Sequence, residues 1–218
     1  MRIAGGSKKG FLLKSPKVAD VRPTTDMIKE ALFNILPSVA GKNFLDLFAG
    51  TGSVGIEALS RGASMAVFLE KNGGLTRSIE DHIRRLGFEE NAKVICMDMK
   101  KGIPEIARLN IPFDYIFIDP PYRRGLIEDA ISRIDGAEMV DPATWIVVQH
   151  SKREPVALAD ERYSVEDQRT YGDSMLSFIK IKYSATEGWR ISAGDGTPGG
   201  QAISRKIRRR FASRKGNS

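Results

Sequence analysis

The chain has few of the residues that build covalent or metal-held frameworks. A single cysteine, Cys96, among 218 residues excludes an internal disulfide, and its place in an apolar run reads as a small core side chain. Two histidines, His82 and His150, argue against a transition-metal centre made from protein ligands. No run approaches the roughly eighteen uncharged apolar residues that a membrane-spanning helix needs. Met1-Arg2-Ile3-Ala4-Gly5-Gly6 lacks the apolar core of a secretory leader. A reducing, cytoplasmic setting is therefore expected.

Apolar residues, by contrast, suffice for one sizeable core. They make up 41% of the chain, enough at this length for one α/β domain with appendages and too few for two. The formal charge of +7 is unevenly spread: residues 1–30 carry +4 and residues 184–218 carry +6, which leaves −3 on 31–183. A mildly acidic body between basic ends suits a cationic small ligand in the body and a polyanion across its rim. From Ser184 the sequence turns to Gly, Ser, Thr and Pro and then to Arg205-Lys206-Ile207-Arg208-Arg209-Arg210. Such a composition buries little, so 184–218 is expected to be a flexible basic tail.

Periodicity divides the rest. Residues 2–22 alternate small, basic and apolar positions around Gly5-Gly6 and Gly10, the pattern of an N-terminal hairpin or extended arm over 1–22. Pro23-Thr24-Thr25-Asp26 then starts a helix, whose apolar residues Ile28, Ala31, Leu32, Ile35 and Leu36 recur at three and four and which Pro37 closes. Strands near 43–48, 65–69, 92–97, 113–118 and 144–149 alternate with helices near 53–61, 74–86, 99–109 and 125–134. That alternation predicts βαβ crossovers and a parallel sheet. Tyr163–Glu166 and Met175–Ile181, joined through Tyr171-Gly172-Asp173, read as a closing hairpin, which makes seven strands in a domain over 23–183.

Two motifs carry chemistry. Asn43-Phe44-Leu45-Asp46-Leu47-Phe48 runs into Ala49-Gly50-Thr51-Gly52-Ser53-Val54-Gly55, so that Gly50, Gly52 and Gly55 fall as G-x-G-x-x-G at a strand-to-helix turn. There the backbone can approach a nucleotide closely. Asp46 would repel a pyrophosphate but suits a ligand with an ammonium and a sulfonium, such as S-adenosylmethionine. Asp119-Pro120-Pro121-Tyr122 ends the fourth strand, because two prolines remove two donors and forbid helix. The carboxylate and a proline carbonyl can accept from an exocyclic amine, while Tyr122 offers a stacking face worth about 1–3 kcal/mol. Glu70 and Asp98 end the second and third strands. Glu70 is placed for the ribose hydroxyls of an adenosine, and Asp98 for the adenine amine, with Met97 or Met99 along the ring. Four acids at successive strand ends would line one crevice.

Asp46-Leu47-Phe48-Ala49-Gly50-Thr51-Gly52 together with Asp119-Pro120-Pro121-Tyr122 resembles the class I S-adenosylmethionine-dependent amino methyltransferases. Val21-Arg22-Pro23-Thr24-Thr25-Asp26, Lys29-Glu30-Ala31-Leu32-Phe33-Asn34-Ile35-Leu36 and Glu57-Ala58-Leu59-Ser60-Arg61-Gly62-Ala63 narrow the resemblance to the RsmD family, over about residues 1–183. The resemblance implies a seven-stranded Rossmann-like α/β sheet with helices on both faces and strands 6–7 as a closing hairpin. It implies methylation of the N2 amine of one guanosine in bacterial 16S ribosomal RNA, position 966 in the family's RNA numbering. S-adenosyl-L-methionine would then lie against Asp46, Phe48, Ala49, Gly50, Gly52, Glu70, Asp98, Met99 and Asp119. Asp119, Pro120 and Tyr122 would hold the base, and Arg2, Lys8, Lys9, Arg22 and Thr24 would touch RNA. The chain departs from the family pattern after the fifth strand, where Gln149 precedes His150 in place of an acid. Residues 184–218 match nothing in it.

The expected partner is 16S rRNA, naked or within an assembling small subunit, with no membrane and a monomer favoured. Two other readings stand beside it. D-P-P-Y suits any exocyclic amine, hence also an adenine-N6 or cytosine-N4 DNA methyltransferase, though such enzymes carry a target-recognition domain for which this length has no room. The other is a non-catalytic nucleic-acid-binding protein on a methyltransferase scaffold, against which the intact glycine turn and D-P-P-Y speak.

Overall fold

The computed structural model describes residues 2–13, 25–121 and 125–182. Their core is a seven-stranded sheet of β1 (Asn43–Asp46), β2 (Met65–Glu70), β3 (Ala92–Cys96), β4 (Tyr115–Ile118), β5 (Trp145–Ser151), β6 (Tyr163–Tyr171) and β7 (Ser174–Ile181). The order across it is β3-β2-β1-β4-β5-β7-β6. Strands β1 to β5 run parallel, in registers such as Asp46↔Phe68, Asp46↔Phe117 and Ile118↔Val148. β7 inserts antiparallel between β5 and β6, as the expected hairpin requires.

Helices α1 (Asp26–Ile35), α2 (Ser53–Ser60), α3 (Gly73–Leu86), α4 (Met99–Arg108) and α5 (Leu126–Gly136) supply the apolar stripes that bury both faces. Side chains alternate across each strand, so one sequence fills two cores. Phe44, Phe68, Phe117, Val147 and Leu176 pack with α1, α2 and α3. Leu45, Leu69, Ile118, Val148 and Ile179 pack with α4 and α5. Gly55 lets α2 lie close on the sheet, since a Cβ there would sit 2.3 Å from the Phe68 ring.

Local chemistry sets the helix ends. Thr25 caps α1 by accepting from the Ile28 N–H, and the helix stops one residue before Leu36-Pro37. Asn72 caps α3 on the Gly74 and Leu75 amides, and Gly87 ends it at φ 71°.

Cys96, read from the sequence as a small core side chain, is instead exposed on the edge strand β3; the other differences are shifts of element bounds. β4 starts at Tyr115 rather than Phe113: the Phe113 carbonyl is taken by Thr144 Oγ1, while the Asp114 N–H still donates to the Asn43 carbonyl. β6 runs to Tyr171, past a bulge between Val165 and Asp167, although Glu166–Thr170 is polar throughout. It is an edge strand, held by ladder bonds to β7 rather than by burial. The N-terminal arm forms a hairpin over 2–12, bridged at Arg2↔Leu12, with the Ile3 N–H on the Phe11 carbonyl.

Candidate active site

The chain winds from β1 outward to β3, then returns to lay β4 on the other side of β1. Open α/β sheets bind ligands at this switch, beyond the carboxyl ends of the strands. Asp46 and Glu70 are the last residues of β1 and β2, Asp119 follows Ile118 directly, and Asp98 comes two residues after β3. The four acids thus stand at the carboxyl ends of four adjacent strands, in the spatial order Asp98, Glu70, Asp46, Asp119.

The glycine turn begins where β1 stops. Gly50 and Gly52 adopt φ 54° and 74°, left-handed values that disfavour a side chain. At Gly52 a Cβ would also press within 2.8 Å of Ile79. The Ala49 N–H donates to the Leu69 carbonyl and the Gly50 N–H to Glu70 Oε2 at 2.9 Å, so the turn is strapped across β2. Gly52 caps α2 with no side-chain hydrogen bond of its own.

Asp46 is 1% exposed, and its Oδ2 accepts from the Gly55 N–H at 3.0 Å in the first turn of α2. Burial pushes its carboxyl up to about 7, the Gly55 bond opposes the rise, and the charge of Glu70 adds to it.

Glu70 joins the turn to α3 through its second oxygen, which accepts from the Asn72 N–H at 2.8 Å. A carboxylate has about four lone-pair sites, so these two bonds leave capacity for hydroxyl donors. Asp98 caps α4, with Oδ1 accepting from the Lys100 and Lys101 amides, and its side chain is exposed. Met99 is 7% exposed and packs in the core beneath α4, whereas Met97 is 40% exposed. Phe48 is half-buried against the same core, and Ala49 is buried.

Asp119 is half-buried, Pro120 buried and Pro121 exposed. Tyr122 lies outside the described residues, as do Arg22, Thr24 and the tail from 184. Of the basic arm, Arg2 and Lys9 are exposed, while Lys8 is half-buried with its Nζ 5.7 Å from the centroid of the Phe88 ring. Near the end of the fifth strand stand Gln149, 6% exposed, and His150, 1% exposed. His150 Nε2 meets Ser177 Oγ at 2.7 Å, and Nδ1 faces the carbonyls of Ser151 and Glu154.

Sequence reasoning missed how the arm is fixed. Glu57 on α2 is fully buried, accepting from the Ala4 N–H and from Arg61 Nε, each at 2.8 Å. Ser60 donates to the Gly5 carbonyl at 2.6 Å and accepts from the Lys8 N–H at 3.0 Å. Lys29 on α1, also fully buried, donates to the Arg2 carbonyl at 2.6 Å and pairs with Asp26 at 3.0 Å. The available signal was charge at apolar-stripe positions of two helices, Lys29 beside Ile28 and Glu57 beside Ile56.

A parallel sheet closed by an antiparallel hairpin, with a glycine turn after β1 and Asp-Pro-Pro after β4, is the architecture of a class I S-adenosylmethionine-dependent methyltransferase. Residues 1–180 match the family described as "Conserved hypothetical protein 95". The chain belongs to that family, the RsmD family. YlbH of Bacillus subtilis (strain 168) is 33% identical over 181 residues, 83% of this chain and 98% of YlbH. Ribosomal RNA small subunit methyltransferase D of Escherichia coli (strain K12) is 31% identical over 173 residues, 79% of this chain and 85% of that protein. The solved structure of YhhF from Escherichia coli superposes at a TM-score of 0.73 with 26% identity, covering 84% of this chain and 99% of that one. Methyltransferase structures solved with S-adenosyl-L-homocysteine, at 17% and 13% identity, share the fold.

Proposed function

We propose that this protein transfers a methyl group from S-adenosyl-L-methionine to the exocyclic N2 amine of a guanosine in bacterial 16S ribosomal RNA. The observation that carries the reading is the row of acids at the switch point, next to Asp119-Pro120 and within a family whose named members include ribosomal RNA small subunit methyltransferase D. The residues fit the cofactor: a desolvated acid and a second carboxylate border a turn whose backbone is bare at two left-handed glycines.

When bound, S-adenosyl-L-methionine supplies a methyl group on a positive sulfur. Asp46 balances the ligand's positive charge, Glu70 takes the ribose hydroxyls, and Asp98 with Met97 borders the adenine. Gly50 and Gly52 let the ligand approach the backbone.

The guanine amine is a poor nucleophile because its lone pair is delocalised into the ring. Asp119 and the Pro120 carbonyl accept its two protons and hold the nitrogen so that its emerging lone pair faces the crevice. These bonds strengthen as positive charge builds on that nitrogen, so they favour the transition state over the ground state. Asp119 acts by positioning, since the proton on the methylated nitrogen is acidic enough for water to remove. Tyr122 stacks on the base, which must leave its own stack to enter. The hairpin's Arg2, Lys8 and Lys9, with Arg22 and Thr24, meet the RNA backbone. An rRNA substrate sets the reaction in the cytoplasm.

Mass spectrometry of ribosomal RNA nucleosides with and without the gene tests this. One N2-methylguanosine should disappear from 16S rRNA. An unchanged rRNA profile with loss of N6-methyladenine or N4-methylcytosine from DNA would replace the RNA substrate with DNA.

A further inference from the structure

We infer that Gln149 is a specificity-determining residue that reads the N1–H of the target guanine and thereby separates guanine from purines that lack this donor. The inference rests on the methyl-transfer reading above and names the group that recognises the base.

β4 and β5 are paired through Ile118↔Val148. Continued by one step, that register sets Gln149 beside Asp119, on strands about 4.8 Å apart. Phe117 and Val147 belong to one core and Ile118 and Val148 to the other. Alternation therefore returns residues 119 and 149 to the face of Phe117 and Val147, the face that also holds Asp46 across from Phe117. Gln149 itself is paired with Leu176 of that same core.

Gln149 is 6% exposed, and among the described residues its Oε1 accepts no hydrogen bond. A buried carbonyl oxygen left without a donor is rare in a folded protein and asks for an explanation. The next residue is satisfied: both ring nitrogens of His150 are engaged, and Ser177 Oγ also accepts from Gln168 Nε2 at 2.9 Å. Gln149 is thus held on a fixed strand with one acceptor unused, beside the acid assigned to the amine.

Guanine supplies what is missing. Its Watson–Crick edge presents the N2 amine and the N1–H next to each other, followed by the O6 acceptor. With the amine on Asp119 and Pro120, the N1–H falls toward the neighbouring strand, where Oε1 accepts it, and the Gln149 amide N–H can donate to O6. In 2-aminopurine the same amine sits beside a bare N1 and a C6–H, so Oε1 loses its donor, and an amide turned to donate to N1 leaves Oε1 facing a carbon. Burying a polar group against the wrong partner rejects an analogue far more strongly than a missing apolar contact does.

The test uses the full-length chain with S-adenosyl-L-methionine and two RNAs that differ only in guanine or 2-aminopurine at the target position. The wild type should prefer guanine by roughly 10- to 100-fold in kcat/KM. Gln149→Leu should lose about that factor on guanine, change little on 2-aminopurine, and unfold at the same or a higher temperature, because it removes an unsatisfied buried oxygen. Gln149→Glu keeps an acceptor for the N1–H but loses the amide N–H that meets O6, so it should retain part of the preference for guanine that Gln149→Leu loses. Equal losses of Gln149→Leu on both RNAs, or a wild type indifferent to the exchange, would overturn the inference while leaving guanine methylation intact. Failure of the wild type to methylate the guanine RNA at all would overturn the parent function, and this inference with it.

Discussion

Replacing Asp46 by Asn should stabilise the ligand-free protein and weaken its cofactor site at once. The carboxyl lies near 7 in the fold against an ordinary 3.8, with burial as the main cause. Between about pH 4 and pH 7 the folded chain therefore keeps a proton that the unfolded chain releases, so stability falls as pH rises across that window and the full penalty is present by pH 8. At 1.36 kcal/mol per pKa unit the difference amounts to at most about 4 kcal/mol, and relaxation of the crevice brings the expected figure to between about 1 and 4 kcal/mol. Asn carries no such charge, and its carbonyl oxygen can still accept from the Gly55 N–H. Urea unfolding should then show Asp46→Asn more stable than the wild type at pH 8 and level with it below pH 4. Calorimetric binding of S-adenosyl-L-methionine should strengthen with pH through 7 in the wild type, but be flat and about 10- to 100-fold weaker in the variant. A variant less stable than the wild type at pH 8, or one that retains the pH slope of binding, would refute the picture of Asp46 as a desolvated acid awaiting a cation.

Asp119→Ala should lower turnover by roughly 100-fold or more while calorimetry finds cofactor affinity little changed, as befits a group that holds the amine. Glu57→Ala leaves the Ala4 N–H and Arg61 without their acceptor and should cost about 3 kcal/mol in urea unfolding. The same variant should open residues 2–12 to protease, and unchanged protection would show that Glu57 does not fasten the hairpin. Exchanging Arg2 and Lys9 together for Gln should flatten the dependence of log binding constant on log salt for RNA by about two charges, whereas an equal slope would remove the hairpin from the RNA interface.

Much of this architecture is legible in the sequence because its signals are local. The glycine turn follows its strand within a few residues, D-P-P closes β4 by removing donors, and Gly172-Asp173 turns β6 into β7. What the sequence hides is set by distance. No pattern announces that Asp46 Oδ2 would be spent on Gly55, or that Glu57 would reach the amide of Ala4, because those contacts form only after α2 has packed on the sheet. Asp98 and Met99 mark a different limit. An acid before a helix serves as a cap whether or not it meets a ligand, and a Met in the first turn of that helix can face the core as readily as the crevice. β6 escaped notice beyond Glu166 because an exposed edge strand has no apolar alternation to read.

The most direct test is incubation of the purified chain with S-adenosyl-L-methionine and unmethylated small-subunit rRNA, free or in particles, followed by mass spectrometry of the nucleosides. Formation of N2-methylguanosine at one position, lost with Asp119→Ala, is the predicted result. A methyl group on any other base, or none with either form of the substrate, would contradict the assignment of the acids at the β1–β4 switch to amine methylation.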